Sequence, residues 1–263
     1  MFMSAEANKV IAISGGATGI GMATVELFLK EGYRVSFGDI NEEASFALLK
    51  ELKEQGFGDD KVIFTKVNTT LPEDITAWRN AIMEHFGRLD AIFANAGIHR
   101  SNTMLNIDPQ ELKLMIDTNI YGTVYTLQEL VPCLQQNGGG SVVINCSDQF
   151  FIGKGNNFGY GLTKGALGQI TRSLAVDLAK DHIRVNAVCP GTIRTPLADE
   201  ALGRYAHRAG ISLEQAWAEE DALFTLGRCG TADEVAQMVY FLTEKATFST
   251  GAHYLVDGGI VAS

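Results

Sequence analysis

Two periods alternate in the hydrophobic pattern of this chain. Short β-rich runs at 10–14 (VIAIS), 34–39 (RVSFGD), 61–67, 89–97 (LDAIFANAG), 141–147 (SVVINCS), 184–191 (RVNAVCPG) and 253–259 (HYLVDGG) predict strands. The first is apolar on both faces, as a central parallel strand must be. Between them apolar residues recur at helical spacing. Ile20, Ala23, Leu27 and Phe28 mark a helix ending at Gly32, Ala47, Leu48 and Leu52 a stripe within 42–55, and Ile75, Trp78, Ile82 and Phe86 one within 73–86 that stops at Gly87. Asp108, Pro109 and Glu111 predict a capping box with proline at the first helical position, opening a helix that runs toward Cys133. Further helices are predicted over 158–179, irregularly over 197–224, and over 231–243, where Thr231 and Glu234 form a second capping box. Strand and helix alternate throughout, which predicts an α/β fold.

Length changes the picture little. The 263 residues contain no linker rich in Pro, Ser or charge, so one domain over 1–263 is expected. Apolar residues make up 46% and charged residues 20%, ordinary for a globular protein. A net charge of -10 without a basic cluster argues against binding nucleic acid. No apolar run approaches the ~20 residues that span a bilayer. The start, MFMSAEANK, is too short and polar for a signal peptide, so a cytoplasmic protein is expected, with no membrane partner. The four cysteines lack a C-x-x-C pair and the five histidines lack ligand spacing. Hence the cysteines read as reduced core residues and no metal is expected.

Candidate chemistry begins at the first strand–helix turn. Gly15, Gly19 and Gly21 let the backbone approach a pyrophosphate, to which the helix N-terminus offers N–H groups. Asp39 lies 18 residues beyond Gly21 at the end of the second strand, where a dinucleotide fold places the acid that bonds the adenosine ribose. A carboxylate there repels a 2'-phosphate, and neither the glycine turn nor DINEEAS holds Lys or Arg, so NAD is predicted over NADP. Asn68 and Thr69 close the third strand, where an amide can bond an adenine amino group. Asn95, Ala96 and Gly97 are too small to fill a core and mark a close approach of backbone to a ligand or another strand. Asn119, in DTNIYGT, is unfavourable inside a helix; it reads equally as a site residue or as a structural amide bonding the neighbouring strand.

Tyr160 and Lys164 stand four apart, on one helix face. A phenol titrates near pH 10, and a neighbouring ammonium favours the phenolate, so Tyr160 is a candidate acid/base with Lys164 as its charge partner. Ser147 comes at the C-terminal end of its strand, on the edge where parallel sheets bind ligands. The 13 residues separating it from Tyr160 include Gly153 and Gly155 and can fold back to bring both hydroxyls around one substrate oxygen. Asp148, Gln149, Phe150 and Phe151 follow as candidate pocket walls, and Asp148 suits a polyol or repels an acid.

These residues in this order, from about Lys9 to Gly259 and including Pro190–Gly191, resemble the short-chain dehydrogenase/reductase family. The resemblance implies one doubly wound Rossmann-type domain with a seven-stranded parallel sheet flanked by helices, and a homotetramer in which the 253–259 strand and the Tyr160 helix build interfaces. By the same resemblance Tyr160 is the acid/base, Ser147 holds the substrate oxygen, Lys164 binds the nicotinamide ribose, and Asn119 positions a water. Thr18, Ile20 and Ile40 join the cofactor contacts. Ile193 and Thr195 would meet the nicotinamide carboxamide, with Pro190 and Gly191 along the ring. A substrate lid is expected at about 193–226, its Tyr205, His207, Trp217 and Phe224 serving more as lid core than as substrate contacts. Three departures stand out: Ser14 for the usual Thr, Ala94 for the first Asn of Asn-Asn-Ala-Gly, and Asn68 where Asp is frequent. The implied activity is hydride transfer between NAD(H) and a secondary alcohol or ketone. A 3-oxoacyl-thioester reductase and a non-catalytic dinucleotide-binding regulator are the alternatives.

Overall fold

The computed structural model describes residues 8–263. The reading of the chain start as no signal peptide falls largely on residues outside this range. Seven strands form, β1 (Val10–Ser14), β2 (Arg34–Asp39), β3 (Val62–Lys66), β4 (Ala91–Ala94), β5 (Gly140–Asn145), β6 (Ile183–Pro190) and β7 (His253–Val256). They make one parallel sheet in the order β3-β2-β1-β4-β5-β6-β7. The order reverses between β1 and β4, which opens a crevice beyond their C-terminal ends.

The helices are α1 (Gly19–Lys30), α2 (Glu42–Glu54), α3 (Pro72–Phe86), α4 (Pro109–Met115), α5 (Gly122–Gln136), α6 (Phe158–Leu178), α7 (Pro196–Ala209), α8 (Leu213–Asp221) and α9 (Ala232–Glu244). Alternate residues of β1 feed two cores. Val10 and Ala12 belong to one core with Trp78 and Ile82 of α3, Leu130 of α5 and Leu167 of α6. Ile11 and Ile13 meet Phe28 of α1, Leu48 of α2 and Val239 of α9 on the opposite face. This two-sided burial is why β1 is apolar throughout. The indole of Trp78 donates to Ser36 Oγ at 2.9 Å, so its one polar atom is satisfied inside the core.

Several expectations need correction. Ala47 is exposed: the buried stripe of α2 is Ser45, Leu48 and Leu52. Ser45 occupies a core position because its hydroxyl donates back to Asn41 O at 2.7 Å. Leu27 is only half buried, and Val25 and Leu29 join Phe28 inside. Asp108 caps α4 by accepting from Gln110 N at 2.7 Å and not from Glu111 N, and Glu111 does not reach back, so the expected capping box does not form. The box at Thr231 and Glu234 is complete. The helix toward Cys133 is interrupted at Ile116–Tyr121 by a π-helical turn that contains Asn119. β4 ends at Ala94 and β5 at Asn145, so 95–97 and Ser147 lie beyond the sheet edge.

Candidate active site

At the crevice, the turn after β1 is held against the turn after β4. Gly15 has φ +66° and donates to Gly38 O at 2.7 Å. Ser14 Oγ accepts from the N–H groups of Asn95 and Ala96 at 3.0 and 3.1 Å. Asn95 Nδ2 donates to Ser14 O and Gly15 O, and its Oδ1 accepts from Asn145 Nδ2 at 2.8 Å. The small residues 95–97 thus mark a close approach to another strand's turn. A side chain at Gly21 would start 1.9 Å from Gly15 O, so this glycine lets α1 pack directly on the turn. Thr18, the N-cap of α1, makes no side-chain cap bond and the first turn has no acidic residue, which leaves the helix N-terminus available to an anion.

A groove of about 450 Å³ runs along this edge. Gly15, Thr18, Gly19, Ile20, Asp39, Ile40, Asn68, Thr69, Asn95, Ala96, Gly97, Lys164 and Thr195 all line it, and Tyr160 closes one end. Asp39 accepts from Ala17 N at 3.0 Å and Asn41 N at 2.9 Å, which fixes the carboxylate beside the glycine turn. Among the described residues no cation pairs with it. A glycine turn, an uncapped helix start and a fixed acid are the donor and acceptor set that a nicotinamide dinucleotide needs, so these residues fit that group. One detail is corrected. Asn68 Oδ1 already accepts from Thr70 N and Thr70 Oγ1, so its free group is the amide nitrogen, a donor, and not the acceptor an adenine amino group needs.

A second cavity, of about 480 Å³, meets the groove at Tyr160. Its floor carries Ser147, Asp148 and Gln149. Pro190, Gly191, Ile193 and Thr195 follow β6 along one side, while Leu197, Leu202, Tyr205 and Leu223 of the 193–226 segment form the facing wall. That segment has its own small core of Trp217, Phe224 and Cys229, so of the four residues expected there Tyr205 faces the cavity. Phe151 does not line it. Its ring packs edge-on against Phe150, which stacks on His253 with centroids 4.4 Å apart.

Tyr160 is half-buried and lines the same cavity as Ser147. Burial pushes the phenol well above its usual range, the Asp148 and Cys146 charges add to that, and the neighbouring Ser147 hydroxyl acts to lower it. Lys164, expected to favour the phenolate, has its Nζ 5.4 Å from the Tyr160 ring centroid and donates to Asn145 O at 2.7 Å. Burial depresses the Lys164 pKa in turn. Ser147 Oγ donates to Asp148 Oδ1 at 2.8 Å and accepts from Gln149 N. The other oxygen of Asp148 lies 2.8 Å from Lys154 Nζ, a partly buried ion pair that lines the cavity.

Asn119 lines neither cavity. Its Oδ1 accepts from Ile98 N at 2.8 Å, and Nδ2 donates to Ile98 O and Thr163 Oγ1, both at 3.0 Å. The amide is thereby a clamp between the π-helical turn, the turn after β4 and α6. Both of its hydrogens are committed, which leaves the side chain no donor for a water.

Among the cavity residues that sequence reasoning missed are His99, Asn145 and Lys154. Each had a signal. His99 follows the Asn-Ala-Gly turn by two residues, Asn145 precedes Ser147 by two, and Lys154 sits between Gly153 and Gly155 in the loop leading to Tyr160.

The family model described as "Enoyl-(Acyl carrier protein) reductase" matches residues 15–261. Cyclohexanol dehydrogenase of Acinetobacter sp. (strain SE19) is 35% identical over 253 residues, covering 95% of this chain and 94% of that protein. The crystal structure of a short chain dehydrogenase family protein from Francisella tularensis subsp. tularensis SCHU S4 superposes with a TM-score of 0.86 at 37% identity, covering 98% of this chain and 100% of that one. Levodione reductase superposes with a TM-score of 0.91 at 29% identity, covering 97% and 98%.

Proposed function

The chain belongs to the short-chain dehydrogenase/reductase family, and on that premise we propose that it is an NAD-dependent dehydrogenase of secondary alcohols, or reductase of the matching ketones. The observation that carries this reading is the position of Tyr160 at the junction of the groove and the second cavity, with Ser147 lining the same cavity and Lys164 beneath its ring.

NAD, when bound, supplies the hydride acceptor and a positive charge near the phenol. The chain does the rest. The turn at Gly15 and Gly19 and the start of α1 would hold the pyrophosphate, and Asp39 the adenosine ribose hydroxyls. Lys164 would bond the second ribose and keep its ammonium close to Tyr160. Ser147 would turn its hydroxyl hydrogen from Asp148 to the carbinol oxygen and hold it while the Tyr160 phenolate takes its proton. In reduction the phenol returns that proton to the oxygen. Asp39 favours NAD over NADP, since among the described residues no cation pairs with it to receive a 2'-phosphate.

A panel of secondary alcohols with NAD, repeated with NADP and joined by a 3-oxoacyl thioester with NADH, tests the reading by absorbance at the NADH band. Turnover of alcohols with NAD that disappears in Tyr160→Phe is the expected result. A panel with no absorbance change, from a protein that binds NADH tightly, would instead favour a regulator.

A further inference from the structure

His99 is outside the machinery assigned so far, yet it borders the reacting corner. Its imidazole packs edge-on against Tyr160, ring centroids 4.9 Å apart, and it lines the substrate cavity. The hydrogen-bond network fixes its tautomer. Asn157 Nδ2 donates to Gly155 O at 2.8 Å, so the Asn157 oxygen is the atom that faces His99 Nε2, and Nε2 must carry the hydrogen. Nδ1 is therefore a bare lone-pair acceptor. It is buried and has no donor in the protein. Burial also lowers the imidazole pKa, with Arg204 and Arg100 acting the same way, which keeps the ring neutral.

A second acceptor stands close by in the same state. Asn145 lines the cavity and the groove, its Nδ2 is spent on Asn95, and its Oδ1 is buried without a donor. Buried acceptors without donors cost stability, and two at one reacting corner point to a ligand that brings hydrogens to them. The charge of the cavity narrows the ligand further. Lys154 and Arg208 face Asp148, Glu219 and Glu220, so a carboxylate or phosphate gains little and a neutral molecule fits best. Its hydrogens then come from hydroxyl groups.

Resting on the dehydrogenase reading, we propose that the substrate is a vicinal diol or polyol, and that His99 Nδ1 accepts a hydrogen bond from the hydroxyl on the carbon next to the reacting carbinol. His99 is then a specificity residue. A site built around a substrate hydroxyl rejects the analogue that lacks it, because the acceptor is left unpaired in the complex.

Matched pairs test this: trans-1,2-cyclohexanediol against cyclohexanol, 2,3-butanediol against 2-butanol, and glucose against 2-deoxyglucose. The three arms separate carbocyclic, acyclic and sugar sources of the same diol. In wild type at least one diol is expected to exceed its partner in kcat/KM by about tenfold or more. His99→Phe should lower the diol at least about tenfold more than the mono-alcohol, and His99→Asn, whose amide oxygen replaces Nδ1, should recover part of that gap. Equal turnover of both members of every pair, or an equal loss of both in His99→Phe with no recovery in His99→Asn, overturns the proposal and leaves the dehydrogenase reading standing. No turnover of any pair by a protein that binds NADH overturns that reading as well.

Discussion

Ser147 gives its hydroxyl hydrogen to the carboxylate of the residue that follows it, Oγ to Asp148 Oδ1 at 2.8 Å. Asp148 is fully buried, Lys154 balances it, and its charge raises the pKa of Tyr160. Oxidation of an alcohol needs the phenolate. Asp148→Asn keeps an acceptor for Ser147 while deleting the negative charge, so the phenol should titrate lower. The acid limb of the kcat/KM–pH profile for alcohol oxidation should move to lower pH. A limb that stays in place, measured against the same alcohol, would show that this charge does not act on Tyr160.

Asp39 should set the choice of cofactor. Asp39→Ala removes the repulsion toward a 2'-phosphate and should raise the NADP-to-NAD ratio of kcat/KM at least about tenfold, equivalent to about 1.4 kcal/mol. It also frees the N–H groups of Ala17 and Asn41, so a lower Tm is expected alongside. An unchanged ratio with a lowered Tm would reduce Asp39 to a structural acceptor.

Gly21→Ala should be among the most damaging single-methyl changes in the molecule. The new carbon would lie 1.9 Å from Gly15 O, a backbone atom that cannot swing away. Either α1 shifts off the turn or the turn opens. Titration by NADH fluorescence should show at least about a tenfold weaker Kd, with a drop in Tm by calorimetry.

Glu234 offers a stability test remote from the site. Arg228 and the N–H of Thr231 hold its carboxyl down at about 2. A carboxyl depressed in the fold stabilises it above the ordinary value near 4.5 and loses that contribution as pH falls toward about 2. Both partners are largely exposed, so the effect is small, below about 1 kcal/mol. Glu234→Gln should lower Tm at pH 7, and the gap from wild type should close as pH falls below 4.5. A gap that persists unchanged at low pH would assign the effect to the cap geometry and not to charge.

Much of this was legible in the chain. The strands β1 and β2 lie where the pattern put them, and all four apolar residues of α3 are buried, because strong periodicity over a whole element reports its inner face directly. Bounds drifted where backbone left the ladder for a specific partner, as Asn95 and Ala96 do to reach Ser14. Ala47 misled because the phase of α2 is set by Ser45, a polar residue whose self-satisfied hydroxyl hides it from a hydrophobic pattern. The π-helical turn has no periodic signature, since one extra residue in a helix looks like noise. At the site, the glycines, Asp39, Ser147, Tyr160 and Lys164 could be read from spacing and order. His99 and Asn145 could not, because their interest lies in a bond that is missing, and that is a property of the folded neighbourhood.

The π-helical turn at Ile116–Tyr121 also sets how the length of this chain can vary. One residue fewer there would restore regular winding and rotate everything before or after it by about 100°. That would either pull the Asn119 amide off Ile98 or turn Leu127, Leu130 and Leu134 away from the sheet. Insertions and deletions should therefore be tolerated elsewhere, at exposed bends such as the one around Gly58, while the stretch around Asn119 keeps its residue count even where its side chains drift.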